Sequence, residues 1–465
     1  MILCLLAFLA GADLDALVSE IEKLHPNPYT VVTRDAFHTA AASLGRRSLK
    51  PYEKMAELSR IVAMIGDGHT RLTLPIDPNS GFFTGHTPTP LPSDPGLRVR
   101  HLPVRFFWFD DGLFIRDAAD SRLIGAKVLR IGDDDIVVAL EKMKPYVSAD
   151  NETMQRLVVA DYLAMPEMIA GAAIAPGPDR IDVVTDRGAV TLEPIPFGSP
   201  VPWLKKPDAR PFSFRYLPSE RIVHFVYNEV ANDAKESLAD FAIRMFRFID
   251  THAVDALVID IRQNPGGNGA LNRALLHGLI RCGKLQDPGR VFVLIGRRTF
   301  SAAMFFALDL EQNTNAIFVG EPTGAKPNNF GESKKITLPA SGLTVRTSTL
   351  YHQHSDPRDM RDAIVPDIPV PLTSVALRRD IAFDAIVDIV KAMRKRRSLD
   401  GRWSGTARFD FQRVPVSVEN GEMTAKDIGK LEFEGRVGDG WTFGTVTTNG
   451  LRFPFFVRKV VGRGS

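Results

Sequence analysis

The sequence predicts a multidomain α+β protein built around an α/β core. Three patterns carry that reading. Residues 220–396 alternate apolar runs with helical periodicity, the strand–helix alternation of a layered α/β domain. Residues 13 to about 75 place Leu14, Leu17, Ile21 and Leu24 at helical spacing. Residues 401–465 hold short segments separated by Gly and Asn-Gly turn signals, which predict a small all-β segment.

The chain has 465 residues, long enough for roughly three domains. Hydrophobic residues make up 44% and charged residues 24%, which allows a sizeable core and excludes global disorder. A net charge of +3 without a clustered Lys/Arg stripe argues against a nucleic-acid partner. The one basic run, Lys391 to Arg397, ends a predicted helix, where cations suit the carbonyl end.

From the N-terminus, the apolar stretch Ile2 to Ala10 followed by Ala10-Gly11-Ala12 has the form of a signal peptide spanning residues 1–12, which predicts export to a periplasmic or extracellular space. The stretch is too short to cross a bilayer, and no other segment is long and apolar enough, so no integral membrane span is expected. Of the two cysteines, cleavage removes Cys4, and Cys282 sits in an apolar helical pattern as a small core residue. Neither has a metal-ligand neighbour and no HExxH signature occurs, so catalysis is expected to need no metal or cofactor.

An N-terminal helical region over 13–78 ends in IGDGHT and the strand-like RLTLP. Its first helix stops at Pro26 and Pro28, a second starts after Asp35, and a third runs from Tyr52 to Met64. Residues 76–98 are rich in Pro, Gly, Ser and Thr and predict a linker. A module over 99–198 follows, with strands LPVRFFWF, LFIRDA, KVLRIG, RIDVVTD and AVTLEP and helices near Val137–Met143 and Glu152–Met168. Pro200, Pro202, Pro207 and Pro211 mark the next boundary. The core over 210–396 contains buried strands IVHFVYN, ALVIDIR, VFVLIG and AIFVG, interleaved with helices Ser237–Ile249, Gly269–Leu279 and Ala302–Leu310. The pair KITLPASGLTVRTS and a helix Asp380–Arg394 follow.

Two strand-to-helix junctions could carry chemistry. In DIRQNPGGNGA a buried strand runs into Gly266 and Gly267, whose bare backbone amides could face an anion or oxyanion. The alternative is a glycine-rich connecting turn. In VFVLIGRRTFSAA, Ser301 opens a helix after a buried strand. A serine there is most commonly an N-cap; the less common alternative is a nucleophile supported by the helix N-terminus. A nucleophilic serine needs a base. His69 sits on the Gly-bearing turn DGHT, where a plain surface histidine is the rival reading. Lys326 in GEPTGAKPNNFGE is the second candidate, or else an exposed loop cation. His352 and His354 lie in a polar loop and are less constrained.

Together and in this order, HPNPY, DGHT, DIRQNPGG, RTFSAA, GEPTG and VPDIPV resemble the tail-specific, or C-terminal-processing, serine peptidase family over residues 20–395. The resemblance implies a crotonase-like α/β core with Ser301 as nucleophile. It implies an oxyanion hole from Gly266 or Gly267 with the amide of Ala302, and a PDZ-like module around RIGDDDI that holds an extended peptide. The family's tricorn-like branch uses a histidine, matched by His69, and its classical branch a lysine, matched by Lys326. DGHT is intact, although Gly68 stands where tricorn has a serine, whereas Pro327 replaces the glycine expected after the lysine. His69 is therefore the favoured base, with activity expected to rise with pH near 6 to 7, roughly the ordinary histidine range. Asp359 or Asp362 falls nearest the orienting acid's place, with Asp67 another option. The implied activity is endopeptidase or C-terminal-processing hydrolysis of peptide or protein substrates through an acyl-enzyme. Rival readings are a non-proteolytic ligand- or lipid-binding protein of the same fold and a hydrolase of small acyl compounds.

Overall fold

The computed structural model describes residues 2–74, 96–197, 199, 210–395, 399, 401–426 and 428–460, with side chains from residue 11 onward. The expected linker falls mostly outside these residues, as do Pro200, Pro202, Pro207 and the side chain of Cys4. The chain gathers into two compact units. One comprises Met1–Asp208, Gly324–Gln353 and Thr373–Leu377; the other comprises Ala209–Thr323, His354–Leu372 and Arg378–Ser465.

In the first unit a single helix, Ile2–Leu24, runs through Ala10-Gly11-Ala12, and helices Arg34–Gly45 and Pro51–Ala63 follow. Among the described residues no helix is long and apolar enough to cross a membrane. Leu17 and Ile21 are fully buried, as their spacing predicts. The strand Arg71–Thr73 joins the antiparallel pair Lys334–Thr337 and Thr344–Thr347 in a three-stranded sheet. Buried Asp13 ties the first helix to that pair: its Oδ1 accepts from the Ala340 and Ser341 amides, and Lys54 lies 3.1 Å from its Oδ2. This is why the 324–353 segment, expected within the α/β core, groups with the N-terminal helices instead.

Residues 99–197 form the hairpin Val104–Phe109/Gly112–Ala118 and a four-stranded sheet. Its order is Asp134–Asp135, Val128–Ile131, Ile181–Thr185, Gly188–Leu192. The helix expected over 152–168 is two, Glu152–Tyr162 and Pro166–Gly171. Met165 between them is extended, because a proline bars helical backbone at the residue before it.

The second unit is built on a six-stranded sheet ordered Phe212–Leu217, Ile222–Tyr227, Ala256–Asp260, Val291–Ile295, Ile317–Gly320, Ile368–Pro369. The first pair is antiparallel and the rest parallel. Val258, Phe292, Leu294 and Val319 pack with Ile386, Ile389 and Val390 of helix Ile381–Met393. Residues 402–459 form six strands closed into a barrel, which leaves no sheet edge exposed. The barrel is joined to the sheet: Phe443 packs into the sheet–helix core, Arg408 and Arg413 pair with Asp367, and Arg413 also pairs with Glu311.

Candidate active site

Ser301 stands between strand Val291–Ile295 and helix Ala302–Asn313. Its backbone is at φ 51°, ψ −127°, a region that L-residues avoid, and its hydroxyl makes no capping bond to the helix. The loop before the serine is fixed from within. The buried Thr299 hydroxyl accepts the Gly296 amide at 3.1 Å and donates to the Ile261 carbonyl at 3.0 Å. The Phe300 amide donates to the Asn264 carbonyl at 3.2 Å. Behind the helix start, the Asn272 side-chain amide donates to the Ala302 carbonyl at 2.9 Å and is itself held by the Tyr227 hydroxyl. The commoner role of a helix-opening serine, capping, is therefore not the one Ser301 plays.

Gly266 and Gly267 come up against this turn with φ of 106° and 134°. A Cβ on Gly266 would lie 2.7 Å from the Ser301 Cβ and 2.8 Å from the Ala302 nitrogen, so only a glycine leaves the Ala302 amide clear. A Cβ on Gly267 would meet the Val230 carbonyl oxygen at 2.4 Å. The two glycines differ in what their amides do. The Gly266 N–H donates to the Asn264 side chain at 2.9 Å, and the flanking bonds to Val230 use the Gly266 carbonyl and the Asn268 amide. Among the described residues no hydrogen bond engages the Gly267 or the Ala302 amide. Gly266→Ala is expected to lower turnover by about 10²-fold or more through displacement of the Ala302 amide. It should also cost about 1–3 kcal/mol of stability through its positive φ. Kinetics and denaturant melts on the purified variant check both.

His69 lies in the first unit on the turn after helix Pro51–Ala63, and it is buried. Asp67 organises the turn. Its Oδ1 accepts the His69 amide at 2.9 Å and lies 4.0 Å from the imidazole Nδ1. Its Oδ2 receives the Thr70 and Ser348 hydroxyls at 2.6 and 2.5 Å and meets His25 Nε2 at 3.2 Å. Burial works against charge on Asp67, but the His25 bond, the nearby His69 and the two hydroxyls hold its carboxyl below the usual range. Burial pushes His69 down to about 4; Asp67 opposes this, while Arg71, His352 and Arg346 add to it. His352, a weak candidate by sequence, thus stands in the imidazole's surroundings. Lys326 is half-buried, its carbonyl accepting from Asn329.

Asp150, not singled out in the sequence, joins the two candidate-base segments. Its Oδ1 accepts the Gly68 amide at 2.7 Å, and the Lys326 backbone amide and ammonium both favour its charged form. Burial, with Asp67, raises its carboxyl to about 7. Asp150→Ala orphans the Gly68 amide and is expected to cost about 1–3 kcal/mol, whereas Asp150→Asn keeps an accepting oxygen and most of the stability. The sign with pH follows from the raised value. The unfolded carboxyl ionises near 3.9 while the folded one stays protonated to about 7, so wild-type stability from this group is lost as pH rises between them. Asp150→Asn is therefore expected to gain on wild type between about pH 4 and 7 in urea melts.

Asp359 falls in the second unit with Ser301, Gly266, Gly267 and Ala302. Its carboxylate is engaged by Arg361 at 2.8 Å and by the Ser355 hydroxyl at 2.6 Å, and Arg361 in turn pairs with Glu311. Within the first unit, Asp67 is the acid beside the His69 imidazole, 4.0 Å from its Nδ1. Among the described residues no three His, Cys, Asp or Glu side chains cluster to hold a metal ion.

A sequence profile of peptidase family S41 matches residues 273–370, a segment that includes Ser301, Lys326 and Asp359. In fold the chain is similar to mature CPAF, with a TM-score of 0.55 and 13% identity over 83% of this chain and 97% of that one. The lactacystin complex of mature CPAF gives the same score and identity. The photosystem II D1 C-terminal processing protease aligns over 82% of this chain and 96% of its own at 13% identity and a TM-score of 0.40. No curated protein matches the chain. The family match supports a serine-type peptidase over the segment that holds Ser301. The likeness to family S41 is confined to that segment.

Proposed function

We propose that the protein hydrolyses peptide bonds through an acyl-enzyme on Ser301, with His69 as general base and Asp67 holding the His69 turn. The observation that carries the reading is the Ser301 backbone, held at φ 51° with a hydroxyl that does not cap its helix. Strain of this kind is kept where chemistry uses it. The imidazole takes the hydroxyl proton as Oγ bonds to the peptide carbonyl carbon. The carbonyl oxygen becomes an oxyanion and receives the Gly267 and Ala302 N–H groups. Collapse breaks the C–N bond, and the imidazolium returns its proton to the leaving amine. A water deprotonated by His69 then cleaves the ester. The α/β unit serves as a crotonase-like core, and residues 99–198 as a PDZ-like module that takes an extended peptide by strand addition, a mode that sheet edges support.

The pH dependence follows from the depressed imidazole. A base works when deprotonated, and a value of about 4 leaves His69 neutral throughout the ordinary range. The kcat/KM profile, which reports the free enzyme, is expected to be flat from about pH 5 to 8 and to fall through about 4, below the 6 to 7 that an exposed histidine gives. A limb at 6 to 7 would show His69 to be more open to water in solution. The reading as a whole is tested by mass spectrometry of peptides and unfolded proteins incubated with the chain. Defined fragments released by wild type and absent with Ser301→Ala support it, and intact substrate with both overturns it.

A further inference from the structure

The sheet of Arg71–Thr73, Thr344–Thr347 and Lys334–Thr337 carries a row of three cations. Its register sets Arg71 opposite Arg346 and Arg346 opposite Lys335, and residues directly opposite project from the same face. The next positions along, Leu72, Val345 and Ile336, are also in register and are all buried, so they form the apolar face. The other face carries Arg71, Arg346 and Lys335 in one row and, in the next, Thr73 and Thr344, both buried, with Thr337 exposed.

Like charges placed opposite each other on a sheet destabilise it. Among the described residues neither Arg346 nor Lys335 has an acid within ion-pair distance. The hydrogen bonds of the Arg346 side chain go to the Ser333 hydroxyl at 3.2 Å and carbonyl at 3.5 Å. Arg346 is half-buried, and burial lowers its proton affinity; it in turn disfavours charge on Arg71 and on His69. Arg71 donates to the Gly68 carbonyl at 2.8 Å, in the turn that presents His69. The row therefore starts at the base's own turn and runs out to exposed Lys335. A partly desolvated guanidinium flanked by cations is costly without an anion and stabilised by one.

We propose that this row is a subsite for a carboxylate of the peptide substrate, either its free C-terminus or an Asp/Glu side chain; the proposal rests on the reading of His69 as the catalytic base. The planar fork of Arg346 suits the two oxygens of a carboxylate, and Lys335 draws the anion in from solvent. The test uses matched peptides: one sequence ending in a free acid or an amide, and one with Glu or Gln at a single interior position. Wild type is expected to favour one carboxylate form in kcat/KM by about 10-fold or more at low salt, with the preference shrinking as salt rises. The pair that shows it identifies the source. Arg346→Gln and Lys335→Gln should bring that ratio towards 1. Lys334→Gln removes the same charge from the opposite face and should leave the ratio unaltered. Binding of the same peptides to Ser301→Ala, read by fluorescence anisotropy, reports the subsite without turnover. If nothing is cleaved yet the carboxylate preference appears in binding and is lost with Arg346→Gln, the subsite stands and the peptidase mechanism falls. Equal handling of both members of both pairs, or a preference that survives Arg346→Gln, overturns the proposal.

Discussion

Ser301→Ala is expected to abolish peptide hydrolysis, by about 10⁴-fold or more, while the melting temperature stays at the wild-type value. The reason is what the hydroxyl does in the fold. It makes no bond to the helix that follows, so its removal leaves no amide newly orphaned. The Cβ, which meets Gly266, is retained in alanine. Ser301→Gly separates strain from chemistry more sharply. Glycine adopts φ 51°, ψ −127° without penalty, so relief of strain outweighs the added unfolded-chain freedom by about 1 kcal/mol. The glycine variant is expected to melt above wild type and to be just as dead. A glycine variant less stable than the alanine variant would show that Ser301 is not strained.

His69→Ala is expected to lower kcat by about 10²–10⁴-fold, with a smaller effect on KM, because a positioned base acts in the transition state. Lys326→Ala is expected to cost much less, and any loss should appear in KM if the ammonium holds substrate. The two variants separate because the surroundings of the candidates differ. His69 is buried and deprotonated at neutral pH, with Asp67 4.0 Å from its Nδ1. Lys326 is half-buried, and its charge assists ionisation of Asp150. Steady-state kinetics on one peptide from about pH 3 to 8 bracket the His69 limb and compare the two variants directly. A dead Lys326→Ala beside a nearly normal His69→Ala would move the base to the lysine.

The sequence made the strand–loop–serine–helix junction legible, since VFVLIG reads as a buried strand and AAMFFALDL as a helix. It left Ser301 between cap and nucleophile, because the Ser301 backbone angle and the lack of a capping bond are not encoded in the local pattern. Gly266 and Gly267 were equivalent on paper; the Asn264 side chain separates them by occupying one amide. An Asx turn at Asn-Pro-Gly-Gly was the available signal. Burial of the DGHT turn was not visible, because Asp150 and Ser348, which bond to it, lie 82 and 281 residues from their partners. Two nearer signals lie in the sequence itself. Arg361 follows Asp359 at a spacing that lets it hold that carboxylate, and Pro166 breaks the 152–168 helix. Turn signals showed the strand character of 401–465, but closure into a barrel is a matter of register between first and last strands, which local pattern does not encode.

The central claim is that Ser301 is the activated nucleophile. The most direct measurement treats the native chain with a fluorophosphonate, digests it and maps the adduct by mass spectrometry. One phosphonyl group on the peptide containing Ser301 is the predicted result, and acid denaturation of the chain before treatment should prevent it. An adduct on a different residue, or none in a preparation that is cleaving peptide, would contradict the account.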